Sequence, residues 1–430
     1  MTKVLCIGYY DKFSRFFLAL NKRHKKASIE NTLQIQSTYL SGFIYNSLRF
    51  KTSSWISMNA SIKAKINKKK YQKYLENGIY KEVNFNQLIL SDSTNKINLK
   101  YQAMAYIDIL EKKLHGVNIL ILIGDLRLPF EIAKEIAYRN SIKIYYLEQG
   151  PFNTTFIDTK GVNCNATIRN FKPDNDFNEE KKLFVSKLLN APKRKKYLRS
   201  PIYRGFDYLF DFIFEKSLIY PPDLKINDPF FVKKNKLITK KTIDLKQVKN
   251  KNIFLLICQV PFDVNMTHHS PHFKNHYEII KAVYHNLPEN SILIVREHPV
   301  YKGKYEKEFY EFILKYESIY IDNSQDLNTI LNWTHAVIVN NSTVGLEAIT
   351  KRKAVLVLGD AYYDSSNLCL KLKNKKELKD LLIDVLSYTP NKNIVTNFLH
   401  EFFTKQVVEG YITDKKLIAA ESIYNRIFKI

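Results

Sequence analysis

Apolar residues fall along this chain in short unbroken runs, each followed by a stretch of helical periodicity. Val4–Gly8 (VLCIG) reads as a first buried strand, and Ser14–Asn21 as a short helix with Ser14 as its N-cap. Asn118–Gly124 (NILILIG) is a continuous apolar run that stops at a Gly-Asp turn. Helix-like Phe130–Arg139 and strand-like Lys143–Leu147 follow it. The second half repeats the rhythm more regularly. Strand-like runs cover Ile253–Gln259, Ser291–Arg296, Ser318–Ile321, Ala336–Asn340 and Ala354–Leu358. Between them, His276–His285, Tyr305–Lys315, Asp326–Asn332 and Val344–Thr350 carry helical spacing. Continuous apolar strands alternating with helices predict parallel sheets with crossover helices, an α/β chain with two Rossmann-like domains.

The pattern also sets boundaries: an N-terminal domain over 1–180, a segment over 181–251, a second domain over 252–390, and C-terminal helices over 391–430 packing back across the domains. Asn397–Val408 and Asp414–Phe428 are the helical stretches of that tail. Lys63–Lys73 is a basic stretch that reads as a solvated helix, and the sequence shows no internal repeat.

Length agrees, since 430 residues suit two α/β cores better than one. Charge changes the picture more. The formal net charge is +25, and residues 181–251 hold 19 Lys and Arg against 6 Asp and Glu. Aromatics are interleaved there (Tyr197, Tyr203, Phe206, Tyr208, Phe210, Phe212, Phe214, Tyr220), and Pro221-Pro222 breaks the stretch. Such a balance suits an anionic partner, whether lipid, acidic substrate or nucleic acid. No helix-turn-helix, RRM or zinc-finger signature supports nucleic acid, so none is expected. The four cysteines stand far apart without CxxC or metal spacing, which fits a reducing cytoplasm. The N-terminal apolar run is too short for a signal peptide, and no run approaches the length of a membrane span. Membrane contact is therefore expected to be peripheral, through 181–251.

Open α/β sheets bind ligands at the carboxyl ends of their strands, so the residues just past each strand carry the chemistry. Past 119–123 come Gly124, Asp125 and Arg127, which either support a site or form a local turn and ion pair. Past 144–147 come Glu148, Gln149 and Gly150, a carboxylate position for general acid/base work or a solvated turn. Past 254–257 come Gln259, Asp263 and the run His268, His269, His272, His276. Pro271 interrupts any helix that would align those imidazoles, so a substrate loop is the better reading than a metal site. Past 292–296 come Glu297, His298 and Pro299, with His298 able to donate to a phosphate. Past 336–340 come Asn341, Ser342, Thr343, Val344 and Gly345, a helix start with a hydroxyl cap, suited to phosphate. Walker A and GxGxxG patterns are absent. Asp174-Asn175-Asp176 is a DxD in spelling only, without a preceding strand.

The lines 121–150 (ILIGDLRLPFEIAKEIAYRNSIKIYYLEQG), 158–163 (DTKGVN), 256–265 (LICQVPFDVN), 295–303 (VREHPVYKG) and 339–364 (VNNSTVGLEAI through AVLVLGDAYYD) resemble bacterial capsule polysaccharide biosynthesis proteins that act as β-Kdo transferases. Their order is similar to that of the shorter, single-module member that starts the Kdo linker on a lipid. The resemblance implies a GT-B fold, with two Rossmann-like domains facing a cleft, and transfer of Kdo from CMP-β-Kdo with retention. It implies no cofactor and no metal. His298-Pro299 and the Asn341-Ser342-Thr343 turn with Gly345 would bind the CMP phosphate. Asp263 would attack the anomeric carbon and Glu148 serve as acid/base, although residue type alone allows the exchange. Gln259, Asp125, Arg127, Gln149, Gly150 and Asn163 would support the site. Other implications are an anionic, phosphatidylglycerol-type acceptor, a place on the cytoplasmic face of the inner membrane, and other capsule assembly proteins as partners. One departure stands out: the family's Tyr-Leu-Arg-Pro after the glycine is here Pro151-Phe152-Asn153-Thr154. Loss of that arginine leaves room for another CMP-nonulosonate, such as sialic acid, or another acceptor.

Overall fold

The computed structural model describes residues 2–27, 33–76, 96–172, 178–192, 194–224, 233–234, 243, 248, 250–261, 263–365 and 367–429. The DxD spelling at 174–176 and parts of the basic segment lie outside them. The chain divides into two compact units. The first combines Met1–Thr167, Ser186–Ile226 and Phe402–Ile430; the second combines Ile168–Val185 and Asn227–Glu401.

The first unit holds strands β1 (Val4–Gly8), β2 (Leu33–Ser37), β3 (Ser53–Trp55), β4 (Ile119–Ile123), β5 (Lys143–Gln149) and β6 (Thr154–Asp158). The second holds β7 (Asn252–Ile257), β8 (Ser291–Arg296), β9 (Ile319–Ile321), β10 (Ala336–Val339), β11 (Ala354–Val357) and β12 (Leu370–Lys371). The chain then returns to the first unit for β13 (Val407–Glu409).

The first sheet runs β13-β6-β5-β4-β1-β2-β3. It is parallel from β3 to β5, while β6 lies antiparallel between β5 and β13. The second sheet runs β12-β11-β10-β7-β8-β9 and is parallel throughout. Both orders reverse beside their first strand, at β1/β4 and at β7/β10. This is the Rossmann arrangement, whose reversal point opens a ligand crevice at the strands' carboxyl ends. The apolar runs follow from position: β1, β4, β10 and β11 are buried along their whole length.

Several elements differ from the sequence-based reading. The first helix spans Asp11–Ala27, and Ser14 lies buried within it rather than capping it. The tail does not run as one helix over 397–408. A helix ends at Glu401, a wide turn spans Phe402–Gln406, and β13 follows because its backbone pairs with β6. Helix Ile418–Phe428 adds Ala419, Ala420, Ile423 and Ile427 to the core of the first unit.

The segment 181–251 is not a single linker. Its stretch 186–226 belongs to the first unit, anchored by helix Pro201–Phe214. Buried Asp207 accepts from the Ser41 amide (2.8 Å) and hydroxyl (2.7 Å). Arg199 bridges Asp207 and buried Asp11, its Nε lying 3.0 Å from Asp11. Charges this far from water persist because they are paired and hydrogen-bonded.

Candidate active site

In the second unit, three neighbouring strands β10, β7 and β8 bring their following residues to one end of the sheet. Past β7, Gln259 is buried, and neither its amide nitrogen nor its amide oxygen has a hydrogen-bond partner among the described residues. Its backbone N–H donates to His276 Nε2 (3.1 Å), and its carbonyl accepts from Tyr305 Oη (3.1 Å). The backbone is thus pinned while the side chain keeps both functional atoms unused. Burial pushes His276 down to about 3, so it stays a neutral acceptor.

Asp263 follows on the same loop and is exposed. It caps the short turn of helix Val264–Thr267, accepting from the Val264 amide (2.7 Å). Two asparagines at the end of β10 hold this loop. Asn341 Nδ2 donates to the carbonyls of Asn265 (2.8 Å) and His269 (2.9 Å), and Asn340 Nδ2 reaches Asn265 O (3.3 Å). The Oδ1 atom of Asn341 is buried and has no partner among the described residues.

Past β8, the loop from His298 is folded by its neighbour. Buried Glu297 accepts from the Gly303 amide (2.8 Å), Tyr310 Oη (2.5 Å) and Asn323 Nδ2 (2.7 Å), so it shapes the loop. His298 is half-buried, and Pro299 is exposed. The Val300 amide donates to His298 Nδ1 (3.3 Å), which assigns the ring proton to Nε2. Burial lowers the His298 pKa, opposed by the nearby Asp263 carboxylate. The ring is therefore a neutral N–H donor near neutral pH.

Past β10, helix Thr343–Thr350 starts with Ser342 as its N-cap, the hydroxyl accepting from the Val344 amide (3.3 Å). Gly345 lies in the first turn against buried Tyr363, whose hydroxyl donates to the Ser342 carbonyl. A Cβ on Gly345 would lie 2.9 Å from Tyr363 Cζ and 3.0 Å from Cε2, so only glycine fits. The sheet end thus presents a neutral imidazole N–H, an unpaired carboxamide, a second unpaired amide oxygen and a capped helix N-terminus. Such a set suits a phosphate and a hydrogen-bonding base or sugar.

The four histidines of the 268–276 run go to separate environments. His268 Nδ1 meets Thr267 Oγ1 (2.8 Å) and His272 Nε2 meets Leu372 O (3.2 Å), while burial pushes His269 down to about 4. Among the described residues, no group of three or more His, Cys, Asp or Glu is placed to hold a metal ion.

In the first unit the corresponding reversal point lies between β1 and β4. Gly124 (φ +89°) turns the chain out of β4, and a Cβ there would meet Tyr9 Oη at 2.9 Å and Glu148 Oε2 at 3.8 Å. Those contacts set Tyr9 and Glu148 side by side. Glu148 is half-buried near the end of β5, and its Oε1 accepts from the Gln149 amide (3.0 Å). Arg127 lies over the Tyr9 ring (4.7 Å) and donates to Tyr39 Oη (3.0 Å). Lys12 has its pKa lowered by burial, with Glu148 pulling it back up. Neither Arg127 nor Lys12 makes an ion pair among the described residues.

Asp125 is not paired with Arg127. It is buried and accepts from the Val162 amide (3.0 Å) and Asn165 Nδ2 (2.9 Å), and burial raises its pKa. Its position is that of a brace for the 158–165 loop. Asn163 opens the tight turn Asn163–Asn165 in that loop with φ +52°. Gln149 accepts from Thr413 Oγ1 (3.0 Å). Gly150 donates to Thr154 O (2.9 Å) and closes the hairpin from β5 to β6. In that hairpin Asn153 donates to Pro192 O (3.1 Å) and accepts from the Arg194 amide (3.0 Å), tying down the start of the basic stretch.

Reading the sequence missed Lys12, Tyr9, Tyr39, Tyr305, Tyr363, Asn265 and Asn340. Tyr9 and Asn340 carried a signal, each as the residue just past a buried strand.

Comparison with known proteins places this scaffold. Residues 118–411 match the family described as "Capsule polysaccharide biosynthesis protein", a span that includes the residues past β4, β5, β7, β8 and β10 but not those past β1. The chain belongs to the capsule polysaccharide biosynthesis protein family. Protein FixF of Sinorhizobium fredii is 27% identical over 168 residues, 38% of this chain and 40% of FixF. The chain therefore matches about two fifths of that curated relative. Among solved structures, the Thermosulfurimonas dismutans KpsC β-Kdo 2,7 transferase is 16% identical, with TM-score 0.41 over 75% of this chain and 88% of that one. The KpsC β-Kdo 2,4 transferase of the same organism is 13% identical, with TM-score 0.36 over 67% and 88%.

Proposed function

We propose that this family member is a glycosyltransferase of GT-B type that moves β-Kdo from CMP-β-Kdo, with retention, to a phosphatidylglycerol-type lipid at the cytoplasmic membrane face. The observation that carries this reading is the β10-β7-β8 strand end. A neutral His298 Nε2–H, the Ser342-capped helix, the buried Gln259 carboxamide and the buried Asn341 Oδ1, the last two without partners among the described residues, stand there together.

In the proposed reaction the Asp263 carboxylate attacks the anomeric carbon of Kdo. The bond from that carbon to the CMP phosphate oxygen breaks, and CMP leaves with the electron pair. Hydrogen bonds from His298 Nε2 and the amides of the first helical turn stabilise the leaving phosphate, so the step needs no metal. Glu148 then takes the proton of an acceptor hydroxyl. The hydroxyl oxygen displaces Asp263 from the anomeric carbon, and two inversions give retention. Lys12, near Glu148, and Arg127, over the Tyr9 ring, make no close ion pair among the described residues and suit a phosphate or carboxylate on a substrate.

The test supplies the purified protein with CMP-Kdo generated in situ and a fluorescent phosphatidylglycerol analogue. The acceptor should gain the mass of one Kdo in β linkage, and Asp263→Ala and Glu148→Ala should be inactive. Transfer from CMP-sialic acid but not from CMP-Kdo would move the donor to another nonulosonate and point to the changed stretch 151–154. No transfer from either donor would overturn the reading.

A further inference from the structure

Helix Pro201–Phe214 has two apolar faces, and only one is used. Phe210 and Asp207 turn inward; Phe210 packs edge-on to Trp55 (4.8 Å between centroids) and stacks on Tyr220 (5.6 Å). Ile202, Phe206, Leu209 and Ile213 follow at spacings of four, three and four and form a separate stripe, with Phe212 beside it. All five are exposed, Phe212 at 88% and Ile202 at 73%. Leu198 before the helix and Leu218 after it are exposed as well, at 82% and 81%. Leu48, just past helix Leu40–Ser47 that packs on this one, is exposed at 71%.

The rim of the stripe is basic. Lys195 and Lys196 are exposed ahead of the helix, Lys216 is exposed behind it, and Arg49 reaches its flank at Tyr203 Oη (3.4 Å). Glu215 is the exposed acid at its end. The stretch 186–226, which belongs to the same unit, carries 9 basic against 4 acidic residues. A solvent-facing stripe of aromatic and aliphatic side chains set in positive charge has the chemistry of an interfacial helix. Its apolar face sinks to the headgroup boundary, and its cations meet anionic lipid. No described helix is long and apolar enough to cross a membrane.

We infer that the outward face of helix Pro201–Phe214, with Leu198, Leu218 and Leu48, is a docking surface for an anionic lipid bilayer. It orients the first unit on the membrane that holds a lipid acceptor. Its purpose rests on the lipid-acceptor reading; the binding itself does not, and is measured without donor.

The experiment is co-sedimentation of the full chain with vesicles of phosphatidylcholine, with and without phosphatidylglycerol. The wild type should bind the anionic vesicles and keep part of that binding at high salt. Leu209→Gln/Phe212→Gln, which alters only exposed positions, should lose roughly tenfold or more in partitioning and nearly all salt-resistant binding. Phe212→Trp should bind like wild type, and brominated acyl chains should quench it beyond the Trp55 and Trp333 signal of the parent. Equal binding by the double variant, or an unquenched tryptophan, would overturn the inference. So would self-association of the wild type, without vesicles, that the same double variant abolishes; a second copy would then be the occupant. CMP release from CMP-Kdo without acceptor should be the same in wild type and variant. Its absence in both, with vesicle binding intact, would remove the transferase reading and leave the docking surface standing.

Discussion

Gln259→Met should make the protein more stable and less able to bind its donor. The wild-type amide is buried, and its nitrogen and oxygen lack partners among the described residues. A buried polar group without a hydrogen bond costs about 1–3 kcal/mol. Methionine has a similar length, and its thioether asks for no partner. The backbone bonds of residue 259 to His276 and Tyr305 do not involve the replaced atoms. The unliganded protein should therefore gain about 1 kcal/mol or more, short of the full penalty because solvent offsets part of it. Donor affinity should fall by about tenfold or more, since a ligand atom would lose its partner. Urea unfolding without ligand gives the first quantity, and calorimetric titration with CMP gives the second. A residue kept for packing would show the opposite: lower stability and unchanged CMP affinity. That outcome would refute the assignment of Gln259 to the ligand.

Three further outcomes follow from the geometry. Gly345→Ala should cost about 2–4 kcal/mol by forcing Tyr363 off the Ser342 carbonyl, and adding Tyr363→Phe should recover part of it; fully additive losses in urea unfolding would contradict the clash. Arg199→Ala should cost about 3–5 kcal/mol, because it leaves the buried Asp11 and Asp207 carboxylates without their cation; a loss under about 1 kcal/mol would show that water reaches them. His269 and His276 are pushed down to about 4 and about 3, so the unfolded chain takes up protons that the folded chain refuses. Their contribution is complete above about pH 6.5 and drains away as pH falls toward 4, on the order of 3 kcal/mol for each. Trp333 fluorescence in urea, compared at about pH 7 and about pH 5, should show the second unit weakening, and His276→Gln should flatten the slope.

The second unit was largely legible in the sequence. Its central strands are fully apolar because both faces of a parallel sheet are covered, and such runs announce themselves. The candidate residues His298, Asn341 and Ser342 sit directly past those runs, where the rule of strand ends directs attention. The first unit was harder. β3 is Ser-Ser-Trp and β2 carries two glutamines, so neither forms an apolar run. Helix Lys96–Leu114 hides its period because it is buried on most sides, with Gln102 and Tyr106 both inaccessible. Composition made 181–251 look like one linker. The pairing of Asp207 with Ser41, some 166 residues away, is tertiary information that no local pattern carries. The same holds for the unpaired amide of Gln259, which depends on what surrounds it rather than on what precedes it.

In the proposed reaction the carboxyl end of β10, β7 and β8 holds the phosphate and base of a CMP-sugar. Titration of CMP into the wild type, His298→Ala and Gln259→Met tests it most directly. The wild type should bind CMP, each variant should lose about tenfold or more in affinity, and His298→Ala should keep its unfolding midpoint. Equal CMP affinity in all three proteins would contradict it, as would no affinity for CMP in the wild type.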